Sequence, residues 1–379
     1  MGFKNFLILI SIFYCFSCAK EKNKSNINLN KITEVSVFDF FDSIEVVQLE
    51  TTDESLIRRI DEIIKIKGKY FILDTREQCV FCFDDNGKFL HKIANKGRGP
   101  EEYIYIGHIN IDPYNNHLLL LEPFGTLHRY QFDGQFISKT ILPVGGVAYN
   151  EIYAVNSDTL VVLSLNKFQV FYCSLKADTI FKNMLPQLRD GFSNLYRSYY
   201  YNDSVYFCSQ YDNEVLNLSD ISTKKVFTWD FGEANNSKKN IENAANYMME
   251  MKQKEISHDV YKNFIWKYLN TNIFICFENM RFLYSSVAYN YDFYNVFIDK
   301  ITQQQYVFVR TIEGITFIGA TCFNNYFILP SDRTPPYAHK DENFTHYNKD
   351  ILSPKNIEII EQHDAEDDNP YLIVYKLKS

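Results

Sequence analysis

The chain has 379 residues, a formal net charge of −8, 28 Tyr, 32 Phe and only 14 Gly. That length holds one large domain or two small ones, and the aromatic bias suits pleated, half-buried sheet surfaces. The acidic balance, with no basic stripe anywhere, excludes a nucleic-acid groove, which needs a cationic footprint to neutralise phosphates.

In chain order, residues 1–17 read as a targeting segment. Lys4 supplies the basic start, and Phe6 to Phe16 is apolar apart from Ser11. The run is too short to cross a bilayer as a stable helix. It ends in Ser17-Cys18, a small residue directly before a cysteine, similar to a bacterial lipobox with Cys15 and Phe16 as departures. Cys18 is therefore the expected lipidation site, placing the protein in the cell envelope on a membrane anchor; an ordinary secretory peptide is the alternative. Residues 18–42 are expected to be a flexible tether, since Ala19 to Asn30 is polar, rich in Lys and Asn, and aperiodic. Lys20, Glu21 and Lys22 mix both signs and choose no leaflet.

Residues 43–379 carry a repeat. Second strands begin at Tyr70, His117, Thr159, Ser204, Arg281 and Asn325, spaced by 47, 42, 45, 77 and 44 residues. Three or four short strands at such a period indicate a propeller. These strands are apolar on consecutive residues, as expected where both sheet faces are covered by neighbouring blades. Hairpin signals follow the third strands at Asp84-Asp85-Asn86-Gly87 and Asp133-Gly134. The last unit, with strands expected at Thr316 to Phe323, Tyr326 to Leu329 and Tyr371 to Leu377, is one strand short. Ser43 to Leu49 is the spare. The expected fold is thus all-β: a six-bladed propeller of four-stranded blades, closed by the N-terminal strand in the last blade. Closure leaves no edge to pair, so a monomer is expected.

The opening unit, with Tyr70, Asp74, Val80-Phe81, Phe83-Asp84, Gly87-Lys88-Phe89 and the loop Gly97-Arg98-Gly99-Pro100-Glu101-Glu102-Tyr103, resembles an NHL-type repeat. With the stretch from Ser43 and the ending Asp368-Asn369-Pro370-Tyr371, the chain is similar to six-bladed β-propeller lipoproteins of Gram-negative anaerobes. It departs from the pattern at Glu101, where a second Gly is usual. The resemblance implies a fold and an envelope location, and no catalytic activity.

Two segments interrupt the repeat. Residues 233–270, between blades four and five, show helical spacing at Ile241, Ala245 and Met248 and at Val260, Phe264 and Tyr268. Residues 330–370 are long and polar, with a short helix expected at Asn356 to Gln362. In a meander, the connections between strands two and three and between blades leave by one face. Both insertions and the Gly97–Tyr103 loop therefore share it, and loops on a rigid scaffold are where function concentrates. The candidate ligand residues are Arg76, Arg98, Glu101, Tyr103, Tyr211, Asp212, Asp332, Arg333, Tyr337 and His339, since Arg and Tyr suit sugars, carboxylates and peptides. Against this, Gly97–Tyr103 also reads as a tight inter-blade turn whose Tyr packs.

Cys79 and Cys82 form a C-x-x-C, but on a strand they point to opposite faces and cannot share a metal. They and Cys173, Cys208, Cys276 and Cys322 read as buried thiols, with pairing left open. The acids from Glu358 to Asp368 lack calcium-loop spacing, and the histidines lack zinc-hydrolase spacing, so no cofactor or metal is expected. Two functions remain: an envelope binding module for a glycan, peptide or protein partner, or a propeller hydrolase or lyase with acids, His and a divalent cation at the channel mouth.

Overall fold

The computed structural model describes residues 26–142, 148–164, 169–174, 180–184, 198–222, 224–252, 267–332 and 346–379. Cys18, Arg333, Tyr337 and His339 lie outside them. Six antiparallel four-stranded sheets form the blades of a propeller. The inner strands are Glu62–Ile66, His108–Asp112, Glu151–Asn156, Ser198–Tyr201, Thr271–Glu278 and Thr321–Phe323. Each of the first five leads outward through three further strands in chain order. The sixth blade is completed on its outside by Phe41–Gln48, paired antiparallel with Tyr371–Leu377.

Consecutive apolar residues arise because each blade is packed on both faces. In the second and third strands of blade one, Tyr70, Ile72, Cys79, Phe81 and Phe83 face blade six. The alternate residues Phe71, Leu73, Val80 and Cys82 face blade two. Strand alternation therefore feeds two separate cores, and the two sulfurs of the C-x-x-C sit in different ones. All six described cysteines are free thiols.

Ring closure is reinforced at the first hairpin. Gly87 has φ +83, and a Cβ there would stand 2.0 Å from the Gln48 carbonyl oxygen of the closing strand. Glu50 N–H donates to the Gly87 carbonyl at 2.8 Å. Asn369, fully buried, ties the seam further: its amide nitrogen donates to the carbonyls of Glu50 and Ser55, each at 2.8 Å, and its oxygen accepts from Ile57 N–H at 2.7 Å.

The expected tether is corrected over its second half. Ile27 and Leu29 are buried against blades four and five. Ile27 N–H donates to Asp230 at 2.7 Å and Thr33 N–H to Val307 at 2.6 Å. The outermost strand of blade five has no further strand beside it, and Thr33 takes up both backbone groups of Val307. Helix α1 (Val37–Phe40) follows, capped by Ser36, and buries Val37 and Phe40. The expected strand at Thr316 to Phe323 is only Thr321–Phe323, because Phe317–Ala320 forms a turn. The first insertion contains helix α2 (Lys238–Lys252), and the second contains helix α3 (Pro354–Gln362), with Ser353 as N-cap and Pro at its start.

Candidate functional site

Every blade is a meander, so all six inner strands enter the ring from one face. Their first residues, Glu62, His108, Glu151, Ser198, Thr271 and Thr321, therefore stand at the same end of the axis. A cavity of about 690 Å³ lies there, lined by the inner strands and by the residues just preceding them, among them Arg59, Asp61, Tyr105 and Tyr149. The other end of the ring is laced by turns. Asn115 donates to the Ser157 carbonyl at 3.2 Å, Asn324 to the Lys65 carbonyl at 3.3 Å, and the Tyr114 hydroxyl to the Asp203 carbonyl at 2.9 Å. Higher in the ring, the Tyr200 hydroxyl accepts from Ala154 N–H at 3.0 Å and lies 3.2 Å from the Ile111 carbonyl. One phenol thus joins blades four, three and two.

Three consecutive blades contribute a buried polar group. His108 Nδ1 lies 3.2 and 3.0 Å from the two oxygens of Glu62, and Glu62 also accepts from Ile109 N–H at 3.0 Å. Burial lowers the His108 pKa, but the charge and hydrogen bond of Glu62, the charge of Glu151 and the Ile152 backbone outweigh it, so the net shift is upward. The Tyr153 hydroxyl donates to Glu151 at 3.0 Å. Burial first, and the Glu151 charge second, hold that phenol protonated well beyond its ordinary range. At the rim, Arg59 Nε is 2.8 Å from Asp61, whose other oxygen accepts from the backbone N–H and hydroxyl of Thr75, each at 2.8 Å. The arrangement offers fixed carboxylates, a histidine and phenols around a cavity. Among the described residues, no three or more acids, His or Cys gather as a metal site.

The residues singled out from the sequence are not brought together here. None of Arg76, Arg98, Glu101, Tyr103, Tyr211, Asp212 and Asp332 lines the cavity. Arg76, Arg98, Glu101, Asp212 and Asp332 are exposed on connecting loops. Tyr103 is fully buried, donating its hydroxyl toward the carbonyls of Gln78 at 2.8 Å and Ile93 at 3.1 Å. It pins its loop, as the packing alternative holds. Tyr211 is buried with Ala244 and Leu269 where α2 docks. Glu62, His108 and Glu151 escaped notice, although a signal exists: in each of the first three blades an acid or His stands directly before Ile, about 45 residues apart.

The chain belongs to the family described as a domain of unknown function, DUF4934, which matches residues 23–376. No curated protein matches the sequence. Among solved structures, a Bacteroides fragilis protein described as exported superposes with a TM-score of 0.68 at 18% identity, over 92% of this chain and 98% of that one. A member of the DUF4221 family from Bacteroides vulgatus gives a TM-score of 0.50 at 10% identity, over 92% and 99%. At these identities the likeness concerns the fold alone.

Proposed function

We propose that this chain is a cell-envelope binding module, held to a membrane by a lipid on Cys18, that takes a small glycan or peptide into the axial cavity. The observation that carries this reading is the cavity of about 690 Å³ with its polar groups already locked in place. Ligand sites commonly occupy roughly 300–1,000 Å³, and groups fixed in advance lose little freedom on binding. Glu62 is bonded to His108 and to a neighbouring strand, so its orientation is set before any ligand arrives. The description of the Bacteroides fragilis protein as exported agrees with the reading of residues 1–17.

Calorimetry against oligosaccharide and peptide panels tests the reading. Tyr105→Ala should weaken binding, because Tyr105 lines the cavity, whereas Arg98→Ala should not. The reverse pattern moves the site to the blade-one loop. Cys18→Ala should release the protein from the membrane fraction.

A second reading, an acid–base enzyme, is favoured by the Glu62–His108–Glu151 grouping. Burial and like charges at such groups are a common way to tune proton transfer. Here the carboxylate of Glu62 is spent on inter-blade bonds, which favours the binding role. Turnover of a panel substrate that is lost in Glu151→Gln would reverse that preference.

A further inference from the structure

The cavity mouth continues into an exposed apolar patch beside blade two. Phe124 is 87% exposed, Ile141 76%, Ile104 61% and Tyr105 42%. Ile104 and Tyr105 lie on the connection into blade two, Phe124 on its Pro123-Phe124-Gly125 turn, and Ile141 at the end of its outermost strand, Phe136–Ile141. Leu142 N–H donates to the Gly125 carbonyl at 2.7 Å, which sets Ile141 beside the turn. Ile104 N–H lies 3.3 Å from Glu122, and a Cβ on Gly107 would stand 2.7 Å from Pro123 and 3.7 Å from the Tyr105 ring. Tyr105 and Pro123 also line the cavity, so patch and cavity form one surface.

Among the described residues, the cavity lining is acidic. It carries Asp61, Glu62 and Glu151 against Arg59 and His108, so it is negative whether the imidazole is charged or neutral. Arg59 is turned onto Asp61. Low-dielectric walls lined by one sign of charge concentrate the opposite sign. An anionic lipid surface or nucleic acid is therefore repelled, and a neutral sugar leaves the aliphatic side chains Ile104 and Ile141 unused. A contiguous exposed apolar patch next to a charged recess marks an interaction site.

Resting on the binding-module reading, we infer that the occupant is a cationic peptide: a Lys or Arg side chain enters the cavity while a neighbouring apolar side chain lies on Ile104, Phe124 and Ile141. The segment is bound from blade two toward the axis. Its positive group faces Glu62 and Glu151, and its apolar neighbour covers the patch.

The probe is the fluorescein-labelled peptide Lys-Phe-Lys-Phe-Gly, with Glu-Phe-Glu-Phe-Gly and Ser-Phe-Ser-Phe-Gly as controls, read by anisotropy. The lysine peptide should bind about tenfold more tightly than either control, a difference that added salt reduces. Phe124→Ser should weaken it by about tenfold with an unchanged melting curve, since an aromatic anchor carries much of such an interface while an exposed side chain contributes little to folding. Equal affinity of the lysine and glutamate peptides, or no effect of Phe124→Ser, overturns the inference. Oligosaccharide binding weakened by Tyr105→Ala, with no peptide bound, overturns it while leaving the binding module intact. Absence of binding to both panels overturns the two together.

Discussion

Phe40 offers the sharpest test of how the ring is held shut. It sits at the end of α1, fully buried, immediately before the strand that closes blade six. Its ring stacks on Phe297 at 4.1 Å and on Phe308 at 5.5 Å, and meets Tyr306 edge-on at 5.2 Å and Phe282 at 5.7 Å. Burying a Phe side chain stabilises by roughly 1.5–3 kcal/mol, and well-placed aromatic pairs add about 0.5–1.5 kcal/mol each. Surrounding rings from blade five cannot collapse into the space, so Phe40→Ala should fall in the upper half of the roughly 3–5 kcal/mol seen for such truncations. At about 2–4 °C per kcal/mol for large domains, the melting temperature should drop by roughly 8–20 °C. Phe38→Ala, two residues earlier on the same helix and 43% exposed, is the control and should cost under about 1 kcal/mol. Urea titrations of both variants, with midpoints and slopes compared, decide the matter. A Phe40→Ala cost within about 1 kcal/mol of the Phe38→Ala cost would refute the claim that α1 seals the last blade.

Three further outcomes are expected. Removing residues 26–30 should destabilise measurably, by about 3–6 kcal/mol from Ile27 and Leu29 together, while removing everything through Leu49 should prevent cooperative thermal unfolding altogether. His108 has a folded-state pKa above its ordinary 6.5, so its contribution to stability is complete below pH 6.5 and is lost as pH rises through the raised value. Urea stabilities across that range should therefore decline for the wild type relative to His108→Gln, and parallel curves would contradict the Glu62–His108–Glu151 electrostatics. Burial pushes the thiols of Cys79 and Cys82 up to about 12, so thiol reagents at pH 8 should label neither until denaturant is added.

The sequence by itself determined the architecture. Blade count, strand order and closure by the strand near Ser43 are written locally, in apolar runs of strand length, in Asp-Gly turns, and in a last unit lacking one strand. Each signal needs only its own few residues and the requirement that every sheet edge be paired. The site is another matter. Glu62, His108 and Glu151 look like isolated polar residues at strand starts, and only the equal pitch of successive blades superposes them around one axis. The loop chosen from the sequence lies away from the cavity for a related reason. Residues 95–103 fold back on the outer strand, with Tyr103 N–H donating to Asn95 at 3.0 Å, so Arg98 stays at the periphery. Only from Ile104 onward does the chain run inward, and it is Tyr105 that reaches the cavity. Ile27 and Leu29 were likewise illegible, being two apolar residues in a polar stretch. They are buried in a cluster drawn from blades four and five, whose members are distant in sequence and come together only in the finished propeller.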